Sequence, residues 1–174
     1  MSASADADQR PISPASPAQL RLALAQVNPT LGAIDDNCEL ILKYVKHGAQ
    51  GGAHLIVFPE MVVTGYPVED LALRSAFRLA SRNAVAQLAT QLSLSGLGEI
   101  VVVVGYLDQG PKNAVAVIHD GKIRVTYVKR HLPNYGVFDE FRNFVPGDQS
   151  LVVRIHGVDV AVAICEDIWH SLDS

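Results

Sequence analysis

Three apolar segments of the chain each end on a side chain that could take part in covalent catalysis. The segment LIVFPE ends on Glu60, VTYVK ends on Lys129, and VAVAIC ends on Cys165. Ligands of open α/β sheets bind outside the carboxyl ends of the strands, so we expect these three side chains to meet in one crevice. A thiol can attack, a carboxylate can take its proton, and an ammonium can stabilise the resulting oxyanion. The pattern therefore predicts nucleophilic catalysis by a cysteine.

Each of these residues also has a purely structural interpretation. A lone cysteine after an apolar strand is often a small buried hydrophobe, and Glu60 or Lys129 alone could be an exposed residue at a strand end. Cys165 is favoured as the nucleophile because two acidic residues follow it at once, which suggests a sharp turn from a strand into a helix. The helix dipole would then lower the pKa of the thiol. Cys38 lies on the apolar face of a predicted helix, where we expect it to be core.

Other kinds of site have weaker signals. The six histidines show no H-x-x-x-H spacing and the cysteines no C-x-x-C spacing, so no metal site is expected. A Cys–His pair would need His131 or another histidine beside the predicted nucleophile, and it stays an alternative. Neither glycine-rich phosphate-binding motif is present. The aromatic residues Tyr135, Phe138 and Phe141 could line a pocket or pack within a loop.

The composition excludes several classes of protein. With 174 residues, 49% of them hydrophobic and 18% charged, the chain is expected to fold as one domain with a core. Its net charge of −4 argues against a nucleic-acid or anionic-membrane partner. No apolar run approaches the roughly 18 residues of a membrane span, and two cysteines are too few for a disulfide scaffold. We therefore expect a cytoplasmic protein.

The elements that must position the three reactive residues alternate between strands and helices in the first half of the chain. Residues 1–18 are rich in Ser, Ala, Asp and Pro and are expected to be a disordered tail. The patterns that follow predict a strand over 20–27, a helix capped at 35–37 and stopped by the glycines at 48–52, a strand over 54–58, and one helix from about 69 to 94.

The second half is rich in strands. A β-branched run predicts a strand over 100–106, and Asp120-Gly121 between two apolar runs is a strong hairpin signal. His156-Gly157 marks a second candidate hairpin with weaker turn chemistry. Two βα units followed by hairpins predict an α/β fold with a mixed sheet.

Three longer segments around the reactive residues resemble the signature segments of the nitrilase, or carbon-nitrogen hydrolase, superfamily. They are VFPEMVVTGYPVEDL, YVKRHLPNYGVFDEFRNFVPG and VAVAICEDIW. The resemblance implies an α-β-β-α sandwich with mixed sheets. It also implies cleavage of amide or nitrile C–N bonds through a thioester-type acyl-enzyme. In that scheme Glu60 is the general base, Lys129 the oxyanion-stabilising acid and Cys165 the nucleophile.

Two details narrow the resemblance to one branch. The segments G-Y-P-x-E-D-L and L-P-N-Y-G-V-F-D-E are similar to those in the glutaminase domains of glutamine-dependent NAD+ synthetases. That branch hydrolyses L-glutamine and passes the ammonia to a synthetase domain, which amidates deamido-NAD+ with ATP. The resemblance implies that the glutamine pocket is lined by Tyr66, Tyr135, Phe138 and Glu166, and that Glu140 is a second acid beside the triad. Such an acid can hold the lysine in place and keep it charged.

The resemblance spans about residues 20–174, whereas a complete domain of this superfamily needs roughly 250 residues. The chain ends nine residues after Cys165, so we expect residues 19–174 to be a partial, N-terminal part of the hydrolase domain, with the synthetase domain absent. No cofactor is expected in this segment, and ATP and Mg2+ are expected for the synthetase domain. The full-length protein is expected to be a homo-oligomer. The alternatives are a stand-alone amidase, carbamoylase or nitrilase, or a fragment that is inactive by itself.

Overall fold

The computed structural model describes residues 19–170, and the predicted tail over residues 1–18 lies outside them. The first half of the described chain alternates strands and helices, as the sequence pattern predicts. Its elements are β1 (Leu22–Leu24), α1 (Ile34–Gln50), β2 (Leu55–Val57), a 3₁₀ helix (Glu69–Leu73) and α2 (Ser75–Leu94). The second half is mostly strands, in the order β3 (Val101–Asp108), β4 (Lys112–His119), β5 (Lys122–Val128), α3 (Glu140–Asn143), β6 (Leu151–Ile155), β7 (Val158–Val162) and a 3₁₀ helix (Cys165–Trp169).

Five strands form one mixed sheet in the order β1-β2-β3-β4-β5. The first three strands are parallel, because each βα unit returns the chain to the same edge, and β4 and β5 follow as antiparallel hairpin strands. Strands β6 and β7 pair with each other in a second, two-stranded sheet. The predicted α/β fold with a mixed sheet is confirmed.

The two faces of the larger sheet pack against different layers. One face packs on α1 and α2 through residues such as Ile41, Leu88 and Val104. The opposite face packs against the β6–β7 hairpin through residues such as Val103 and Ile155. Successive strand residues point to opposite faces, so the apolar run of β3 supplies both layers. Within residues 19–170, the structure therefore contains α, β and β layers of the predicted sandwich.

The helices differ from the prediction in two places. The expected continuous helix over 69–94 is divided because Arg74 has extended backbone angles, φ −81° and ψ 114°, which interrupt the helical hydrogen bonds. α1 begins at Ile34, with Ala33 at its N-cap position, and Asn37, predicted as a cap, lies within the helix and bonds to the backbone of Thr30 and Val63. Among the helices of residues 19–170, none combines the length and apolarity needed to cross a membrane.

Both predicted hairpin turns are present and have the same conformation. Asp120 and Gly121 have φ values of 51° and 69°, and His156 and Gly157 have φ values of 48° and 79°. Two consecutive positive φ angles are those of a type I′ turn, whose twist matches that of the flanking strands. His156 therefore adopts a conformation that glycine, asparagine or aspartate adopts more easily.

Candidate active site

The loop after β2 carries Glu60 and lies flat against the sheet. Two backbone hydrogen bonds hold it there, from the Phe58 N–H to the Val103 carbonyl (2.9 Å) and from the Val63 N–H to the Gly105 carbonyl (3.1 Å). Gly105 permits this close approach because it has no Cβ atom. A Cβ atom there would lie 2.7 Å from the Pro59 carbonyl oxygen and closer still to the Met61 backbone nitrogen. A glycine within β3 therefore fixes the position of the predicted base.

Replacing Gly105 by alanine is expected to push this loop off the sheet and to lower the free energy of unfolding by about 1–3 kcal/mol. Urea unfolding, followed by circular dichroism, measures this effect. Gly98→Ala is the matched control, because its new Cβ would meet no atom closer than 3.6 Å. We expect that variant to stay within about 1 kcal/mol of the parent. Equal stability of the two variants would show that the close packing on Gly105 is unimportant.

Lys129 follows β5 and places a buried ammonium between two carboxylates. Its side chain is 1% exposed, and its Nζ atom lies 2.8 Å from Glu60 Oε1 and 2.8 Å from Glu140 Oε2. Burial alone would lower the pKa of Lys129, but the charges and hydrogen bonds of the two carboxylates outweigh it and the pKa is raised. Lys129 is therefore a stable cation inside the protein.

Glu140 begins α3 and is almost completely buried, with 3% of its surface exposed. Burial raises the pKa of its carboxyl, and the bonds from Lys129 and the Tyr66 hydroxyl partly oppose that rise. The Tyr66 hydroxyl donates to Glu140 Oε1 over 2.9 Å. The structure thus places the predicted second acid against the lysine, where its charge offsets the desolvation of the ammonium.

Cys165 is the first residue of a five-residue 3₁₀ helix and is exposed. Its φ of 46° lies in the left-handed region, so the chain turns sharply at the thiol and the backbone carries a strain of about 1–3 kcal/mol. Cys165 and Glu60 line one cavity of about 170 Å³ between the larger sheet and the β6–β7 hairpin. Glu60, Lys129 and Glu140 all act electrostatically on the thiol. The structure therefore brings the three predicted catalytic residues together.

The expectation of a lowered thiol pKa is wrong. Burial and then the negative charge of Glu60 raise the pKa of Cys165. Lys129 acts in the opposite direction and lowers this pKa, but the first two effects are larger together. The helix that follows is a single short 3₁₀ segment, which gives little of the dipole that a long α-helix would supply. Cys165 is therefore a protonated thiol in the resting site and needs a base to become a nucleophile.

Asp167 joins the two loops that carry the lysine and the cysteine. Its carboxylate accepts the backbone N–H groups of Ile164 (3.0 Å), Arg130 (3.0 Å) and His131 (2.8 Å), and the Tyr127 hydroxyl (2.7 Å). Burial would raise the pKa of Asp167, but these hydrogen bonds to the charged form outweigh it and the pKa is lowered. One side chain thus fixes the residues before Cys165 relative to those after Lys129.

The histidines near the thiol have other partners. His131 Nδ1 lies 3.2 Å from Asp167 Oδ1, and His170 Nε2 lies 3.4 Å from Glu166 Oε1. The two imidazole rings stack with their centroids 4.0 Å apart. These contacts do not support the Cys–His alternative. Within residues 19–170, no group of three or more His, Cys, Asp or Glu side chains is placed to hold a metal ion.

The predicted substrate-binding residues fall into two groups around the thiol. Tyr66 contacts Glu140, whereas the Tyr135 hydroxyl donates to Glu166 Oε2 over 2.7 Å. The Phe138 ring meets the Tyr135 ring edge-on, with centroids 5.9 Å apart. The pKa of Tyr66 is raised mainly by burial and that of Tyr135 mainly by its bond to Glu166, and Cys165 acts electrostatically on both. Both tyrosines therefore lie within electrostatic reach of the nucleophile.

Two residues that contact the site were not among the predicted site residues. Asn113 on β4 donates to Glu60, and Asp167 binds both catalytic loops. A signal existed for Asn113, because an amide that stands next to a long apolar run is unusual in a buried strand. In the sequence, Asp167 is marked only as one of the two acidic residues that follow Cys165. Phe141, by contrast, is 64% exposed and lies outside the contacts described above.

The comparison with known sequences points to one family. The family model of the carbon-nitrogen hydrolases matches residues 21–174. The glutamine-dependent NAD(+) synthetase of Thermotoga maritima is 42% identical over 157 residues, which are 89% of this chain and 27% of that protein. The enzyme of the same name from Acinetobacter baylyi is 40% identical over 153 residues, 86% of this chain and 27% of that protein. The chain thus spans about a quarter of the length of these curated relatives.

Solved structures give the same picture of the fold. The glutamine-dependent NAD+ synthetase of Acinetobacter baumannii, in complex with ADP, has a TM-score of 0.77 and 40% identity, and the match covers 86% of this chain and 28% of that one. An amidase from Nesterenkonia has a TM-score of 0.71 at 23% identity, over 86% of this chain and 56% of that one. Because the sequence identity to the amidase is only 23%, that match supports the fold alone.

Proposed function

Because the chain belongs to the carbon-nitrogen hydrolase family, we propose that its site hydrolyses the side-chain amide of L-glutamine and supplies the ammonia for NAD+ synthesis. The observation that carries the proposal is the buried Lys129, held by Glu60 and Glu140 within electrostatic reach of the Cys165 thiol. This set can activate a sulfur nucleophile and stabilise an oxyanion. The names of the relatives at about 40% identity support glutamine as the amide.

In the first half of the proposed reaction, Glu60 takes the proton of Cys165, and the thiolate sulfur attacks the side-chain amide carbon of glutamine. The carbonyl oxygen becomes an oxyanion, which the Lys129 ammonium stabilises. The intermediate collapses, the C–N bond breaks, and the nitrogen leaves as ammonia with the proton from Glu60. A glutamyl thioester of Cys165 remains.

In the second half, Glu60 takes a proton from a water molecule, and the hydroxide attacks the thioester carbon. The C–S bond breaks, glutamate is released, and the sulfur regains its proton. Lys129 stabilises this second oxyanion as it does the first. The raised pKa of Cys165 fits this scheme, because the thiol keeps its proton until a base accepts it.

The two groups of substrate-binding residues support a polar amino acid as the substrate. Glu166 presents a carboxylate that can hold the α-ammonium group of glutamine, and Tyr135 orients that carboxylate. Phe138 and Tyr66 would cover the aliphatic part of the substrate on either side. A neutral aliphatic amide would gain nothing from Glu166, so the pocket should favour an amino acid.

Further parts of the proposal concern the full-length protein. Deamido-NAD+, ATP and Mg2+ would bind in a synthetase domain beyond the residues of this chain, and the hydrolysis itself would use side chains alone. We also propose that the full-length protein is cytoplasmic and forms a homo-oligomer. These statements rest on the identity to NAD+ synthetases over about a quarter of their length.

Substrate preference tests the proposal. The full-length protein is incubated separately with glutamine, asparagine and acetamide, and the ammonia and acid products are quantified. We expect glutamine to give the highest kcat/KM, and a diazoketone analogue of glutamine to label Cys165, as located by peptide mass. A preference for acetamide would contradict the proposal and favour a stand-alone amidase, and absence of ammonia from all three amides would contradict hydrolysis altogether.

A further inference from the structure

The first observation concerns the place of Asn113 in the sheet. Asn113 lies near the start of β4, pairs with Leu107 of β3, and is 1% exposed. Its backbone carbonyl accepts the N–H of Lys129 over 2.9 Å. Pairing with β3 therefore holds the Asn113 backbone on one side, and the hydrogen bond from the Lys129 backbone holds it on the other.

The second observation concerns its side chain. The Asn113 amide nitrogen donates to Glu60 Oε1 over 2.6 Å, and the Lys129 ammonium meets the same oxygen over 2.8 Å. Two fixed donors on one oxygen define the rotation of the carboxylate. Because both take Oε1, the oxygen that can receive a proton from the thiol is Oε2.

The third observation is an unpaired atom. Among residues 19–170, the Asn113 Oδ1 atom is buried and has no hydrogen-bond partner. Leaving such an atom unpaired is unfavourable, and a leucine of similar size would fill the space without an unpaired polar atom. Turning the amide over would set its oxygen against the Glu60 carboxylate, so only the nitrogen can face the base. The Asn113 side chain is therefore unfavourable for folding at this buried position, and its hydrogen bond is made to the Glu60 carboxylate.

We propose that Asn113 is a positioning residue, which holds the Glu60 carboxylate with Oε1 toward Lys129 and Oε2 free for the Cys165 proton. The inference rests on the proposed function only for the role of Glu60 as base. It adds a fourth strand to the site, since the base, the lysine and the cysteine follow β2, β5 and β7. It does not depend on which amide is the substrate.

The test uses a reaction that needs no substrate. Iodoacetamide alkylates Cys165 when its proton is removed. The rate of alkylation at Cys165 in the full-length protein therefore reports how readily Glu60 removes that proton. In Asn113→Leu we expect this rate to fall by roughly 10- to 100-fold, the scale of losing alignment by about 1 Å. The kcat for glutamine should fall in parallel, with KM little changed, because the side-chain hydrogen bond of Asn113 goes to the base and not to the residues predicted to bind the substrate.

A control separates positioning from lost stability. Ser81 is buried and accepts the Leu107 N–H over 3.1 Å, and none of the hydrogen bonds described within residues 19–170 joins its side chain to the triad. Ser81→Ala should therefore lower the unfolding temperature yet leave the alkylation rate at the parent value. If Asn113→Leu also keeps the parent rate, the inference is wrong, whatever the substrate proves to be. Slower alkylation in Asn113→Leu than in the parent, together with a parent protein that does not hydrolyse glutamine, would support the inference and contradict the proposed function.

A second variant keeps the inference testable if Asn113→Leu does not fold. In Asn113→Asp, the new carboxyl can donate to Glu60 only while it is protonated, so we expect alkylation near the parent rate at acidic pH and a steep fall as pH rises. The other titratable groups that act on this site are unchanged in the variant; they are Lys129, Glu140, Tyr66, Tyr135, Cys165 and Glu166. A pH profile like that of the parent would overturn the inference.

Discussion

Alanine in place of Cys165 is expected to abolish the hydrolysis of glutamine by the full-length protein, with a fall in kcat of roughly 10⁴-fold or more. The sulfur forms the covalent bond of the proposed acyl-enzyme, and no neighbouring group can replace it. NAD+ synthesis supplied directly with ammonium should persist, because that reaction does not use the thiol. The measurement is NAD+ formation with glutamine and, in parallel, with ammonium chloride.

Cys38→Ala provides the matched control for this experiment. Cys38 is partly buried on α1, and burial raises its pKa to about 11, so it is a poor nucleophile. We expect this variant to use glutamine at the parent rate. If synthesis from glutamine survives in Cys165→Ala, the assignment of the nucleophile is wrong. If ammonium-driven synthesis is lost as well, the thiol has a structural role that the proposal does not include.

Replacing Lys129 by methionine is expected to damage both activity and stability. Without the ammonium, Glu60 and Glu140 face each other with no cation between them. Removing one partner from a buried pair typically costs about 3–5 kcal/mol, and loss of the oxyanion stabiliser should lower kcat by roughly 10²- to 10³-fold. Urea unfolding and glutamine hydrolysis by the full-length protein measure the two effects.

A double variant separates these effects. In the variant that combines Lys129→Met with Glu140→Gln, a neutral amide replaces one of the two unpaired carboxylates. We therefore expect part of the lost free energy of unfolding to return while glutamine hydrolysis stays low. Lys122→Met on the exposed start of β5 serves as the control, with both properties near those of the parent. A Lys129→Met protein as stable as the parent would contradict the view that the lysine neutralises the two acids.

Much of the fold could be predicted from local patterns. Asp120-Gly121 specifies its hairpin because its two residues readily take positive φ, and the parallel strands follow from alternating apolar runs and helices. The sequence pattern does not predict the division of the long helix at Arg74, because the apolar spacing continues across it. A single extended residue leaves no mark on the helical period of the sequence.

The members of the candidate site could be predicted because each reactive residue follows an apolar strand, although Cys165 follows a strand of the second sheet and not of the larger one. Their electrostatics could not. The pKa of Cys165 depends on Glu60, which lies 105 positions earlier in the chain. The bonds of Asn113 to Glu60 and of Asp167 to His131 likewise join residues 53 and 36 positions apart. Such contacts are set by how the strands pair and not by the sequence around each residue.

The protonated state of Cys165 has a consequence for survival in an oxidising environment. Peroxides attack thiolates and not thiols, and the first product is a sulfenic acid that can proceed to irreversible forms. Cys165 is exposed, but its raised pKa keeps the sulfur in the less reactive form between turnovers. A site that makes its thiolate only when the base acts is thereby protected from peroxide damage between turnovers.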